Sequence, residues 1–222
     1  HINVPFEEPL YETTNKLLVV FNVSGLVIPN RQLDVDDIIA FSSLWNQSNK
    51  ILILVGECAP NSIEQKWLDQ LAAIPSIVVM TETTSNLHHP SFINNIDTLI
   101  TPFSPSEFLE LQPNILITFG GMIVSKRIKA FLRKYKPRHH WHVDEHRAYD
   151  TFGILTKHFQ VAPNQFFKQF LPFVKDVESD YKLNFETIIS YRDEPSTVLQ
   201  FCLMEYIDNS ILRDPVARNQ LM

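Results

Sequence analysis

The sequence predicts an α/β fold: a three-layer sandwich around a mostly parallel sheet of five or six strands, followed by a C-terminal helical appendage. Three observations predict it. Short β-branched runs alternate with helical patterns, the runs are apolar without a break, and most of them end at turn residues where a helix begins. Unbroken apolarity suits a strand covered on both faces, as in a parallel sheet flanked by helices.

Lys50-Ile51-Leu52-Ile53-Leu54-Val55, closed by Gly56, is the clearest strand. Ser76 to Met80 and Ile115 to Phe119 have the same character. Leu17 to Phe21 and Trp141 to Val143 are further strands, and Asp97 to Ile100 adds a short one. Asp34 precedes a helical stripe of Val35, Ile38, Ile39, Phe41 and Leu44, with Asp36 and Asp37 also in the first turn. Asn61 reads as the cap of a helix carrying Ile63, Trp67, Leu68 and Leu71, with Glu64 as its capping-box partner. Ser104 precedes Pro105 at the first helical position and Glu107 at the third. Ser125 caps a helix through Ile128, Phe131 and Leu132 that Pro137 stops. Asn164 opens a helix through Phe167, Phe170 and Leu171, ended or bent at Pro172.

This Rossmann-like rhythm occupies residues 13–175. Residues 1–12 read as a strand running into a turn, and a chain opening in mid-strand looks like a piece of something longer. Past Asp176 the alternation stops. Asp180 to Ile207 is mostly helical with an interruption near Pro195, so residues 176–222 read as a helical linker with a polar end.

Composition narrows the function. Hydrophobic residues at 45% and charged residues at 20% describe a folded chain rather than a disordered one. No apolar run reaches the roughly 18 residues that a membrane span needs, and no basic segment followed by an apolar stretch resembles a signal peptide. A net charge of −6 argues against nucleic acid, which wants a basic stripe. Cys58 and Cys202 lie far apart without a CxxC partner; they could pair, but two free thiols in a reducing cytosol are the expectation.

In an open parallel sheet, ligands gather where strands end and helices begin. Phe119-Gly120-Gly121-Met122-Ile123-Val124-Ser125-Lys126-Arg127 is the most informative such place. Two glycines let the backbone turn tightly and approach a ligand, and the following helix start offers free amide groups. Lys126 and Arg127 set two cations against the positive end of that helix, which costs tenths of a kcal/mol each. The residues alone leave two readings open, a solvated turn or a carboxylate site in which Arg127 supplies a fork and Lys126 a point charge.

Neither a G-x-G-x-x-G fingerprint nor a P-loop is present, so NAD and ATP lack support. On a strand, His140, His142 and Asp144 share one face, with His139 and Trp141 on the other. Three ligands on one strand are too linear for tetrahedral zinc, and half-exposed histidines are the simpler reading. His88-His89-Pro90 reads as a loop, and no metal site is expected. No G-x-S-x-G occurs, and neither cysteine neighbours a histidine. Glu57 and Glu82 follow strands at the edge where sites form, facing solvent, a ligand or a neighbouring domain.

Several of these segments, in this order, resemble MenD-type 2-succinyl-5-enolpyruvyl-6-hydroxy-3-cyclohexene-1-carboxylate synthases. His1-Ile2-Asn3-Val4-Pro5-Phe6-Glu7-Glu8-Pro9-Leu10-Tyr11 resembles the end of that family's pyrimidine domain. Glu82-Thr83-Thr84-Ser85-Asn86-Leu87 is similar to its acid-x-x-Ser-Asn-Leu stretch, and Gly120-Gly121 through Ser125-Lys126-Arg127 to its glycine turn and Lys-Arg helix start. His140-Trp141-His142-Val143-Asp144 is similar to its Trp-x-Val-Asp strand, and the likeness fades beyond about Val174.

The resemblance implies a cytoplasmic, homo-oligomeric enzyme of menaquinone biosynthesis that uses thiamine diphosphate and magnesium. It would decarboxylate 2-oxoglutarate and add the product to isochorismate, with this chain as its central domain between pyrimidine and pyrophosphate domains. It further implies that Lys126 and Arg127, on the turn of Gly120, Gly121 and Ser125, meet substrate carboxylates. Glu82, Ser85 and Asn86 would then face a cleft or a neighbouring domain. Gly-Asp-Gly, which introduces the family's metal site, occurs nowhere, so the chain by itself is expected to lack catalytic residues and cofactor. The alternatives are a central domain of another thiamine-diphosphate enzyme, such as an acetolactate synthase or pyruvate decarboxylase, and a non-enzymatic regulatory domain that binds carboxylates.

Overall fold

A run such as Ile51-Leu52-Ile53-Leu54-Val55 has no polar face to present to water, so it folds only where both faces are covered. A computed structural model, which describes residues 31–193, places it at the heart of a five-stranded sheet. The strands are β1 (Ile51–Val55), β2 (Ile77–Thr81), β3 (Ile115–Phe119), β4 (His139–Val143) and β5 (Leu155–Phe159). All pairings are parallel, in the order β2-β1-β3-β4-β5. β1, β2 and β3 are buried at every position.

Alternate side chains sort the core into two layers. Ile51, Ile53 and Val55 face a cluster with Trp45 of α1 (Val35–Asn46), Trp67, Leu68 and Leu71 of α2 (Gln65–Ala73), and Phe166, Phe167 and Phe170 of α6 (Pro163–Phe170). Leu52 and Leu54 face the other cluster. It holds Leu99 of α3 (Ile96–Ile100), Ile128 and Phe131 of α5 (Lys126–Lys134), and Tyr181 and Phe185 of α7 (Tyr181–Asp193). Phe108 of α4 (Pro105–Glu110) packs against the same layer. The aromatic first layer is tightly meshed: Trp141 meets Phe41 edge-on at 5.2 Å and Phe159 at 6.0 Å.

The α/β architecture, the four strands from β1 to β4, and the helices opened by Asp34, Ser104 and Ser125 agree with the sequence reading. Four details differ. Residues 96–100 form helix α3, because Ile96, Leu99 and Ile100 are the buried positions and their three- and four-residue spacing is helical. Asn61 is not a cap: it sits in the left-handed region at φ 56°, and α2 starts at Gln65 after Glu64. Asn164 lies one residue inside α6, which opens at Pro163 and runs out in a 3-10 turn over Leu171–Phe173. Its side chain instead ties α6 to the segment before α2, accepting from Glu64 N and donating to the Ser62 carbonyl. The sequence reading also passed over β5, whose Thr156, Lys157 and His158 interrupt apolarity because the strand lies at the sheet edge. The strand expected at Leu17 to Phe21, Cys202, and the segments 1–12 and 194–222 lie outside the described residues. No described helix is long and apolar enough to cross a membrane.

Candidate functional site

In a sheet ordered 2-1-3-4-5 the connections leave in opposite senses on either side of the β1/β3 boundary, and a crevice opens at their carboxyl ends. Here the loop after β3 lies directly on the loop after β1. Gly121 N donates to the Glu57 carbonyl at 2.7 Å, and Gly56 N to the Phe119 carbonyl at 2.9 Å. A Cβ on Gly56 would stand 2.2 Å from the Gly121 carbonyl oxygen. Gly120 has φ +80°, and a Cβ there would stand 2.8 Å from both Cys58 Sγ and the Glu57 carbonyl oxygen. The close approach that the glycines allow is thus made by protein backbone. Cys58 is half-buried, and burial raises its thiol pKa, so it is a poor nucleophile.

Helix α5 begins immediately after this turn. Ser125 caps it by accepting from Ile128 N at 3.1 Å, and its hydroxyl also donates to Asp97 of α3. The free amides ahead of the helix are taken by Glu82, from the end of β2. Its carboxylate accepts from Val124 N at 3.0 and 2.7 Å and from Ser125 N at 2.6 Å. An anion therefore already sits at this helix start, and it comes from the protein itself.

Ser85 and Asn86 fix the segment that presents Glu82. Ser85 is fully buried; it donates to the Val55 carbonyl at 2.8 Å and accepts from Glu82 N at 2.9 Å. Asn86, in the left-handed region, donates to the carbonyls of Cys58 and Thr84. All three residues thus knit the β1, β2 and β3 loops together.

Lys126 and Arg127 project from the first turn of α5 and are exposed, and neither forms a salt bridge among the described residues. Met122 at 72% and Val124 at 56% exposure flank them, so the turn offers two cations beside two bare apolar side chains. Glu57 is exposed nearby.

The histidine strand does something else. His140 and His142 both turn to the Thr118 hydroxyl, 2.8 Å from Nε2 of the first and 2.8 Å from Nδ1 of the second. Burial, reinforced by His142, pushes His140 down to about 4. Burial also lowers His142, with Asp144 opposing and His158 assisting. For Asp144, burial acts upward, but the backbone N–H groups of Arg147 and His146 outweigh it and hold the carboxyl below its usual value. No described group of three or more His, Cys, Asp or Glu side chains is placed to hold a metal ion. His88 is exposed in a loop, and His89 packs on Phe92.

Sequence reasoning missed the polar residues around this pair, namely Lys129, Arg133 and Arg147. One signal could have found the place. Thr118 is the single hydroxyl in the apolar Ile115–Phe119 run, and parallel register sets it opposite His142.

A three-layer parallel α/β domain whose loops are braced by a buried Ser and a capping Glu defines the class. A family model described as middle domain of thiamine pyrophosphate matches residues 36–173, and the chain belongs to that family of middle domains in thiamine pyrophosphate enzymes. Over 181 residues, 82% of this chain and 32% of the relative, it is 58% identical to the 2-succinyl-5-enolpyruvyl-6-hydroxy-3-cyclohexene-1-carboxylate synthase of Flavobacterium psychrophilum. It is 56% identical to the synthase of the same name from Flavobacterium johnsoniae, over 86% of this chain and 35% of that one. For the Phocaeicola vulgatus synthase the identity is 33%, over 84% and 33%. The resemblance read from the sequence motifs is therefore borne out. The chain spans about a third of the length of these curated relatives.

Proposed function

We propose that this chain is the central domain of a thiamine-diphosphate-dependent synthase that decarboxylates 2-oxoglutarate and adds the succinyl-semialdehyde unit to isochorismate, in menaquinone biosynthesis. The observation that carries this reading is the match to middle domains together with relatives that bear the synthase's name along most of the chain. On this reading residues 13–175 are the domain proper. The pyrimidine and pyrophosphate domains of the same polypeptide would flank them, in a cytoplasmic homo-oligomer.

The described residues do not fit thiamine diphosphate and magnesium. The Val124 and Ser125 N–H groups ahead of α5 are taken by the Glu82 carboxylate, which would repel a diphosphate, and no described group of three or more His, Cys, Asp or Glu is placed to hold the metal. The cofactor and its magnesium then belong to the flanking domains, and the 222-residue chain alone should be inactive. Turnover of isochorismate and 2-oxoglutarate by this chain, with cofactor and magnesium supplied, would contradict the assignment.

Within the proposed enzyme, Lys126 and Arg127 are the substrate-facing residues, while Gly120, Gly121 and Ser125 shape the turn that holds them. Their exposure and the lack of ion-pair partners among the described residues support this, since both proposed substrates are carboxylates. Removing the Arg127 charge in the full-length protein should raise the KM for one substrate about tenfold, the loss of one charge-assisted hydrogen bond. Unchanged KM and kcat in Arg127→Gln would return the pair to the role of solvated surface.

A further inference from the structure

The segment that carries Lys126 and Arg127 has little packing of its own. Between β3 and α5, residues 120–125 form no regular structure. Past the two glycines only Ile123 and Ser125 are buried, while Met122 and Val124 stand 72% and 56% exposed. Gly121 N is tied to the Glu57 carbonyl, and the Ile123 carbonyl accepts from Lys129. The last two residues before the cations are held by acids from elsewhere in the chain. Both oxygens of Glu82 accept from Val124 N, one of them also from Ser125 N, and Asp97 accepts from the Ser125 hydroxyl.

Glu82 is itself anchored to the sheet. Its backbone N–H donates to the Ser85 hydroxyl, which is buried and donates in turn to the carbonyl of Val55, the last residue of β1. A continuous line of hydrogen bonds therefore runs from the central strand through Ser85 and Glu82 to the residue before Lys126. The carboxylate is spent on backbone and pairs with neither cation, since Lys126 and Arg127 form no salt bridge among the described residues. An ion pair would fix the cations by occupying them. Backbone bonds fix where the two side chains start and leave their heads open to an outside anion.

We propose that Glu82 is a positioning residue for substrate binding: by fixing Val124 and Ser125 it orders, before any ligand arrives, the turn from which Lys126 and Arg127 reach a substrate carboxylate. The proposal rests on the substrate-facing reading of that pair. A turn that must order itself on binding forfeits roughly tenfold in affinity for each residue whose backbone it fixes. The sign of the effect separates two roles. As a brace Glu82 strengthens binding, whereas as a bare negative charge beside the cations it weakens the binding of an anion.

The test is steady-state kinetics of the full-length protein carrying Glu82→Ala, Glu82→Gln, Arg127→Gln or the Glu82→Ala/Arg127→Gln pair, with isochorismate and 2-oxoglutarate varied in turn. Glu82→Ala should raise KM about tenfold for the substrate whose KM rises in Arg127→Gln, with kcat and the other KM unmoved. Glu82→Gln keeps the side chain's reach and one acceptor oxygen, so it should raise the same KM less, and it serves where the alanine variant does not fold. In the double variant the two effects should fall well short of multiplying, as residues acting through one contact do. A loss of folded protein lowers kcat and spares neither substrate. That pattern, or effects that multiply, assigns Glu82 to the fold alone and overturns the proposal. An unchanged KM also overturns it, and a KM that falls replaces the brace with simple charge repulsion. Parent KM values in Arg127→Gln would remove the substrate-facing reading and the positioning role together, whereas a rise there without one in the Glu82 variants removes the positioning role alone.

Discussion

Glu82→Gln isolates the charge at the α5 start. Two backbone donors reach the carboxylate, Val124 N at 3.0 and 2.7 Å and Ser125 N at 2.6 Å. A hydrogen bond to a charged group contributes about 1.5–3 kcal/mol and a neutral one about 0.5–1.5. Exchanging carboxylate for amide should therefore cost about 1 kcal/mol per donor, roughly 2 in all. That sum includes the favourable interaction of a negative charge with the helix N-terminus. For a chain of this size, roughly 2–4 °C of melting temperature accompany each kcal/mol, so Tm should fall by about 4–8 °C. The assay is thermal and urea unfolding of the parent and variant chains, followed by circular dichroism. Lys126→Gln adds a second axis. In the parent, loss of the attraction to Glu82 offsets relief from the helix end, and the change should be close to zero. In the Glu82→Gln background only the relief remains, and the same substitution should stabilise by a few tenths of a kcal/mol. A Tm drop below about 1 °C for Glu82→Gln would refute the reasoning, because it would mean that water serves Val124 and Ser125 equally well.

Three further outcomes follow from the packing. Gly56→Ala should destabilise far more than Gly121→Ala in urea titrations, because its Cβ meets a carbonyl oxygen at 2.2 Å whereas that of Gly121 meets the Glu57 side chain at 3.2 Å. Trp141→Ala should cost about 3–5 kcal/mol, the usual range for deleting a buried large aromatic. Trp141→Phe should cost much less, since the indole N–H has no partner to lose among the described residues. For pH, the folded His140 is held down to about 4, so between roughly 6.5 and 4 the unfolded chain binds a proton that the folded one refuses. Stability is then complete above the unfolded value and falls as pH drops through this window, by an amount of the order of 3 kcal/mol. Urea midpoints against pH should show a slope that His140→Gln flattens, and an equal slope in both proteins would assign the acid sensitivity elsewhere.

The sheet was legible because its central strands carry an extreme signal. Ile51–Val55 and Ile115–Phe119 are buried throughout, so burial and composition coincide. Legibility failed where a segment answers to two demands. Residues 96–100 are β-rich in composition, yet only three of the five are buried, and their spacing is helical. Leu155–Phe159 pairs on one side only, so selection for apolarity is relaxed at Lys157 and His158. Lys157 is there for another reason, an ion pair with Asp37 at 2.6 Å that fastens β5 to α1. The turn from Gly120 to Arg127 was legible as a strand-to-helix junction, but not in its wiring. That Glu82 reaches across 42 residues to Val124 N follows from the adjacency of the β1, β2 and β3 loops, which no local pattern encodes.

That wiring changes what the turn has to offer an anion. A helix start with bare amides binds any small oxyanion by dipole and N–H groups together. With Glu82 in place the Val124 and Ser125 N–H groups ahead of the helix are spent, and a free anion at the same spot would face a carboxylate. What the turn still presents beyond it is the exposed pair Lys126 and Arg127, a point charge and a planar fork of donors. The same carboxylate offsets the unfavourable setting of two cations at the positive end of a helix. Glu82 thus makes that pair tolerable to the fold. This accounts for a structural acid standing beside the one basic turn that the sequence singled out.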